Sequence, residues 1–217
     1  MKRKFNAVFP DYEYHKDRVI RCGNKLKYVP EHLKSKELVE LAVSNNGLAL
    51  EYVPKNLKTE EIIKLAVSNC GYALVCVPEN LKTEEIVKIA VLCNGIALEY
   101  VPENLKSKEI VEIAVSNWGY ALEHVPENLK TAEIVEIAVS NNGNALEYVP
   151  KELINNNLIL IFISNSFDHF VYFKMNYRHN INNLNYKKAK EYLKLRIGNE
   201  NNYLNDTNFK DLIIHYI

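Results

Sequence analysis

The chain has 217 residues, 47% of them hydrophobic and 25% charged, with 27 basic and 27 acidic side chains that cancel to no net charge. These are the proportions of a globular chain with a buried core; they exclude global disorder and a uniformly basic nucleic-acid coat, and seven glycines are too few for a collagen-like or loop-rich chain. No apolar run approaches the ~20 residues that a membrane-spanning helix needs.

The neutral total hides an asymmetry. Residues 1–34 hold nine Lys/Arg and four Asp/Glu, residues 35–150 nine and seventeen, and residues 151–217 nine and six, so an acidic middle lies between basic ends. The opening MKRKFNAVFPDYEY has a basic head but no apolar stretch of leader length, because Pro10 and Asp11 interrupt it. The four cysteines, Cys22, Cys70, Cys76 and Cys93, form no CxxC pair and lack the density of a disulfide framework. The expectation is a reduced, cytoplasmic protein, or one delivered into a host cell without a cleaved signal peptide.

Residues 1–34 read as a basic N-terminal cap and first repeat. Asp11 stands in the helix-capping slot, Phe9 in the slot that later holds Leu57, and Arg18 where Ala42 is expected to be buried. From Gly23 onward a period takes over. Gly23, Gly47, Gly71, Gly95, Gly119 and Gly143 are 24 residues apart, and Pro30, Pro54, Pro78, Pro102, Pro126 and Pro150 keep the same interval. Self-similarity at this spacing marks a stacked-repeat protein.

Each unit predicts a helix of about three turns and then a shorter one. Ser35, Thr59, Thr83, Ser107 and Thr131 stand where a hydroxyl can accept from a free first-turn amide. Glu37, Glu61, Glu85, Glu109 and Glu133 follow at the positive end of the helix dipole. Leu38, Leu41, Ala42 and Asn45 share one face with Val39 and Val43 beside them, leaving a wet stripe at positions 37, 40 and 44. Gly47 reads as a left-handed stop. The second helix carries Ala49, Leu50 and Val53 inward and ends at Pro54. Helices this short are marginal alone, so stability must come from burial between neighbouring units.

The array is expected to occupy residues 35–177, with a C-terminal capping unit in which Asn155 takes the cap slot, LILIFISNS replaces LVELAVSNN and Phe167 replaces the glycine. Residues 178–217 read as an Asn-rich helical appendage, with a helix from about Leu184 to Ile197 stopped by Gly198. The fold class is all-α, a right-handed αα-solenoid of about six 24-residue helix-pair repeats with degenerate caps.

The recurring AVSNNGLALEYVPKNLK, with its variants AVSNCGYALVCVPENLK and AVSNWGYALEHVPENLK, resembles the helix-pair repeats of the family called domain of unknown function 4116. The resemblance spans roughly residues 11–175; the chain departs from the family pattern in carrying Pro where a small residue such as Ser is expected. It implies an interaction-type helical array of the kind found in bacterial and protist proteins that meet foreign partners, and it brings no catalytic motif.

The residues point the same way. There is no Gly-rich phosphate loop, HExxH, GxSxG or calcium loop, so no enzyme chemistry, cofactor or metal is expected. Cys70, Cys76 and Cys93 read as buried free thiols, short of the four ligands of structural zinc. The candidate partner-binding positions are those that vary while the scaffold repeats. They are Trp118, Tyr120, His124, Tyr72, Tyr100 and Tyr148, which can form an aromatic ribbon, and Glu109, Glu112, Glu133 and Glu136 on an acidic stripe relieved by pairs such as Glu60 with Lys64 and Glu84 with Lys88. The expected function is a non-enzymatic protein–protein interaction module, whose partner is another protein, one with a basic groove fitting the stripe. The alternative is an inhibitor or effector, for example phage-encoded, that blocks a nucleic-acid-handling enzyme such as a bacterial nuclease. Direct nucleic-acid binding through Lys2, Arg3, Lys4 and the Lys187–Arg196 helix ranks last, because the acidic middle opposes it.

Overall fold

The structure, a computed structural model, describes residues 10–155 together with 157, 158 and 161. Among the described residues the bounded α-helices are, in order, α1 (Pro10–Arg21), α2 (Lys36–Asn45), α3 (Glu60–Asn69), α4 (Glu84–Cys93), α5 (Lys108–Asn117) and α6 (Ala132–Asn141). After each comes a six-residue 3₁₀ helix that opens on the periodic glycine, as in Gly47–Tyr52, and then a single 3₁₀ turn such as Lys55–Leu57. The described residues contain no strand. The chain is an all-α solenoid of tandem helical units. The expected capping unit from 162 to 177 and the appendage at 178–217 lie outside the described residues, as do Phe9 and the basic start.

Two compact units divide the chain, Met1–Asn117 and Trp118–Ile217. In the first, α1 to α5 pack each on the next, and the 3₁₀ helices Gly23–Tyr28, Gly47–Tyr52, Gly71–Cys76 and Gly95–Tyr100 pack likewise. The result is two layers, one α and one 3₁₀. In the second unit, α6 packs on the 3₁₀ helices Gly119–His124 and Gly143–Tyr148, which also pack on each other.

The core repeats with the sequence. Leu38, Val39, Ala42, Val43, Ala49, Leu50 and Val53 are buried, and their counterparts in the later units are buried too. The inward face is therefore 38/39/42/43. Leu41 is only half-buried and Asn45 is exposed, so the sequence-based face was rotated by part of a turn. All five hydroxyl caps form: Ser35, Thr59, Thr83, Ser107 and Thr131 accept from the amide three residues on, at 3.2–3.4 Å. Asn155 accepts from the Leu158 amide at 3.0 Å in the same manner. Asp11 does not cap, because α1 begins at Pro10 and places Asp11 in its first turn. Arg18 escapes burial by laying its guanidinium over the rings of Tyr14 and Tyr28.

The glycines do not act as left-handed stops. The long helices end instead in an extended residue, for example Asn46 at φ −150°, ψ 111°. Gly47 is glycine because of what approaches it: a Cβ there would lie 2.3 Å from the carbonyl oxygen of Ala66 in the next unit. Gly23 meets the Ala42 carbonyl, Gly71 that of Ala90 and Gly119 that of Ala138 in the same way. Each close approach is held by the last residue of the next long helix, an asparagine in all but one case. Asn45 accepts from the Gly23 amide at 2.7 Å and donates to the Ile20 carbonyl at 3.0 Å. Asn69 does the same with Gly47 and Ser44, and Asn117 with Gly95 and Leu92. Asn141 accepts from Gly119 at 2.7 Å. In α4 the position is Cys93, whose sulfur takes the Gly71 amide at 3.2 Å and has no second arm to donate.

A second clamp comes from the Lys that ends each repeat. Lys34 donates to the Tyr52 carbonyl at the end of the next 3₁₀ helix and pairs with Glu31; Lys82 does so with Tyr100 and Glu79. A cation on terminal carbonyls also suits the helix dipole.

Two substitutions test the glycine–asparagine clamp by urea denaturation of the full chain. Gly47→Ala should destabilise by about 1–3 kcal/mol or more, since backbone rather than a side-chain tip must yield. Cys93→Asn should stabilise by about 0.5–1.5 kcal/mol by supplying the missing donor.

Candidate functional site

The aromatic positions form couples between units. Tyr72, just after one glycine, meets Tyr100 at the end of the next 3₁₀ helix: the ring centroids are 5.1 Å apart, edge to face, and the hydroxyls are 3.0 Å apart. In the second unit Tyr120 meets Tyr148 in the same way at 6.2 Å, and Trp118 leans on Tyr120 at 6.0 Å. His124 closes the 3₁₀ helix that carries Tyr120 and is half-buried. The sequence-based ribbon thus exists as a Tyr72–Tyr100 couple in one compact unit and a Trp118–Tyr120–Tyr148 cluster in the other.

One phenol of each couple, Tyr100 and Tyr148, resists ionisation. The Tyr72 hydroxyl, then burial, then Glu99 hold Tyr100 well above the ordinary tyrosine range. Burial followed by the neighbouring Glu147 does the same for Tyr148. Glu51 raises Tyr52 through a hydrogen bond.

Trp118 stands out on structural grounds. The residue before the glycine is Asn46, Asn94 or Asn142 in alternate units, and each accepts from the amide two residues on at 3.0–3.1 Å, capping the 3₁₀ helix. At Cys22, Cys70 and Trp118 that side-chain cap is missing. Trp118 keeps 44% of its surface exposed. The large apolar side chain has replaced a capping amide without being buried.

The acidic stripe is largely an ion-pair ladder. Lys16 bonds Glu37 at 2.7 Å, Lys64 reaches both Glu60 (2.8 Å) and Glu85 (2.7 Å), and Lys36 lies 3.6 Å from Glu61. Lys88 bonds Glu109 of the next helix; the pairing expected within α4, with Glu84, gives way to it. Each of Lys16, Lys64 and Lys88 is raised in pKa, first by the hydrogen bond to its glutamate. Glu112 lines a shallow groove on α4 and α5 with Glu109 and the exposed Leu92. Glu133 and Glu136 are exposed on α6 in the second unit.

The thiols are free, as expected, but only partly sheltered: Cys70 and Cys76 are half-buried and Cys93 is exposed. Among the described residues no cluster of His, Cys, Asp or Glu is arranged to hold a metal ion. No helix among them is long and apolar enough to cross a membrane.

Sequence reasoning missed the asparagine clamp and a doubled period. Alternate units agree better than adjacent ones: Asn46, Asn94 and Asn142 cap, whereas Cys22, Cys70 and Trp118 do not. Writing the repeat at twice its length would have exposed this.

Comparison with known proteins agrees with that length. The sequence profile described as Domain of unknown function (DUF4116) matches three times in tandem, over residues 11–58, 59–106 and 107–154, each match spanning two of the short repeats. No curated protein and no solved structure matches the chain significantly.

Raised tyrosine and paired-lysine pKa values fix the sign of an alkaline transition. Unfolded tyrosine ionises near ~10, below Tyr52, Tyr100 and Tyr148 in the fold. The stability these groups contribute is therefore complete below that pH and falls as pH rises through the folded values. Tyrosinate absorbance followed alongside circular dichroism should show a late-titrating set that ionises together with loss of helix.

Proposed function

We propose, from the premise that this chain belongs to the DUF4116 family of tandem helical repeats, that it is a non-enzymatic protein-interaction module, gripping its partner through the Trp118 cluster. The single observation behind this is the sole tryptophan. It sits where the adjacent units place a capping asparagine and the units in its own register a cysteine, lacks the cap, and stays exposed beside Tyr120 and Tyr148. Exposed, preorganised Trp and Tyr are the side chains that dominate binding hot spots. Tyr120 is held by Tyr148, which lowers the entropy cost of ordering the site on binding. The acidic stripe is the weaker candidate, because Glu37, Glu61, Glu85 and Glu109 already answer lysines of neighbouring helices. The alternative of an inhibitor that mimics nucleic acid draws no comparable support.

Capturing the partner from the native host by affinity purification and mass spectrometry supplies the assay. Trp118→Asn should then weaken partner binding by roughly 30-fold or more, the scale of a hot-spot loss near ~2 kcal/mol, while leaving the fold as stable or slightly more so because the cap is restored. Unchanged capture by that variant rejects the site. Reversing Glu133 and Glu136 to Lys should matter far less.

A further inference from the structure

Two adjacent units break the repeat at places that Lys58 brings together. The slot at the end of each six-residue 3₁₀ helix holds a ring in five units: Tyr28, Tyr52, Tyr100, His124 and Tyr148. In Gly71–Cys76 it holds Cys76, and the residue before it is Val75, where Lys27 stands in the first unit and Glu51, Glu99, Glu123 and Glu147 in the others. The second break is one unit upstream. Lys34, Lys82, Lys106 and Lys130 each pair with a glutamate three residues before them, Glu31, Glu79, Glu103 and Glu127. For Lys58 that position is Lys55. Lys58 makes the usual backbone contact, donating to the Cys76 carbonyl at 3.1 Å, but among the described residues it has no carboxylate at ion-pair distance.

Val75, Cys76 and Lys58, the lysine that Lys55 leaves without its usual glutamate, line a groove of about 550 Å³ with Leu48, Glu51, Tyr52 and Tyr72. That volume is within the ~300–1,000 Å³ range of ligand-binding clefts. Val75 is 44% exposed and Tyr72 36% exposed, so the apolar floor is open. Burial holds the Lys58 ammonium below its usual range; Cys76 and Glu51 pull it back up, and Lys55 adds a smaller like-charge push downward. The neighbouring couple shows what such a place accepts. At Tyr100 the ring packs edge to face on Tyr72, and a carboxylate, Glu79, sits on the lysine that bonds the Tyr100 carbonyl.

We propose that this groove is a second recognition site, which takes a tyrosine side chain flanked by a carboxylate from a partner protein. The tyrosine ring enters the space over Cys76 and Val75, between Tyr52 and Tyr72. The adjoining acid answers Lys55 and Lys58. The occupant supplies from outside the ring and the carboxylate that sister units supply for themselves. Aromatic burial provides the affinity, and the two lysines select an acidic neighbour over a basic one. This inference rests on the reading of the chain as an interaction module but not on Trp118.

The test is a random-peptide display selection on the immobilised full chain, followed by titration of the enriched peptides. Peptides with Tyr next to Asp or Glu should be enriched. The double variant Lys55→Glu/Cys76→Tyr, which restores the residues of the sister units, should melt at or above the wild-type temperature and bind these peptides at least about tenfold more weakly. Trp118→Asn should bind them as the wild type does. Enriched peptides lacking the acid–tyrosine pair, or equal binding by the double variant, overturn the proposal. Loss of the peptides on Trp118→Asn but not on the double substitution also overturns it, and assigns them to the other cluster.

Discussion

The fold depends on how closely one unit can press against the next. At Gly23, Gly47, Gly71 and Gly119 a Cβ would lie 2.2–2.5 Å from the carbonyl oxygen of an alanine one unit later, a distance where no side chain fits. That contact would leave a backbone amide buried without a partner, at a cost of about 1–3 kcal/mol, were it not for the asparagine that receives it. The same asparagine donates backwards to the preceding long helix. One side chain thus ties three backbone segments and sets the spacing of the units. With the spacing set, Leu50 and its counterparts can be buried completely, and helices of ten residues, too short to persist alone, become stable as a stack.

Most of this architecture was legible because it repeats. Period, hydroxyl caps, long-helix length and the proline stops all follow from local chemistry, and local chemistry is what a sequence displays. The reason for the glycine was not legible. Gly47 past a helix end is as consistent with a left-handed stop as with a close approach, and only the position of the Ala66 carbonyl decides between them. The same holds for Asn45, which spacing alone assigns to the buried face, and for the second helix. Six residues pinned at one end by the glycine contact and at the other by proline wind as 3₁₀, a form seldom sustained that long without packing on both sides.

The candidate site was legible in its residue types and not in its pairings. Tyr72 and Tyr100 are 28 residues apart, one unit plus one helical turn, so listing each slot as its own column conceals the couple. Charge misled in a similar way. Seventeen acidic residues against nine basic ones between positions 35 and 150 suggest an open negative track. Yet Lys64 alone engages two glutamates on different helices. Composition counts charges; it does not show which are already answered.

A repeat protein offers a comparison that a unique fold lacks. Every position has sister positions in nearly the same surroundings, so the residue that packing prefers can be read from the majority. A departure that keeps the scaffold sound while giving up a local interaction has no explanation in stability. Trp118 gives up a cap. Cys76 stands where five sister units place a ring, and Lys55 replaces the glutamate that elsewhere pairs with the lysine three residues on, here Lys58. Each loss falls on the 3₁₀ layer or the turn that follows it, while the buried positions 38, 39, 42 and 43 and their counterparts in α3 to α6 stay aliphatic. In a stack whose units are held by backbone contacts and an aliphatic core, the 3₁₀ layer can vary at small cost to folding. On the proposed reading, this is the layer where a partner can set the surface chemistry.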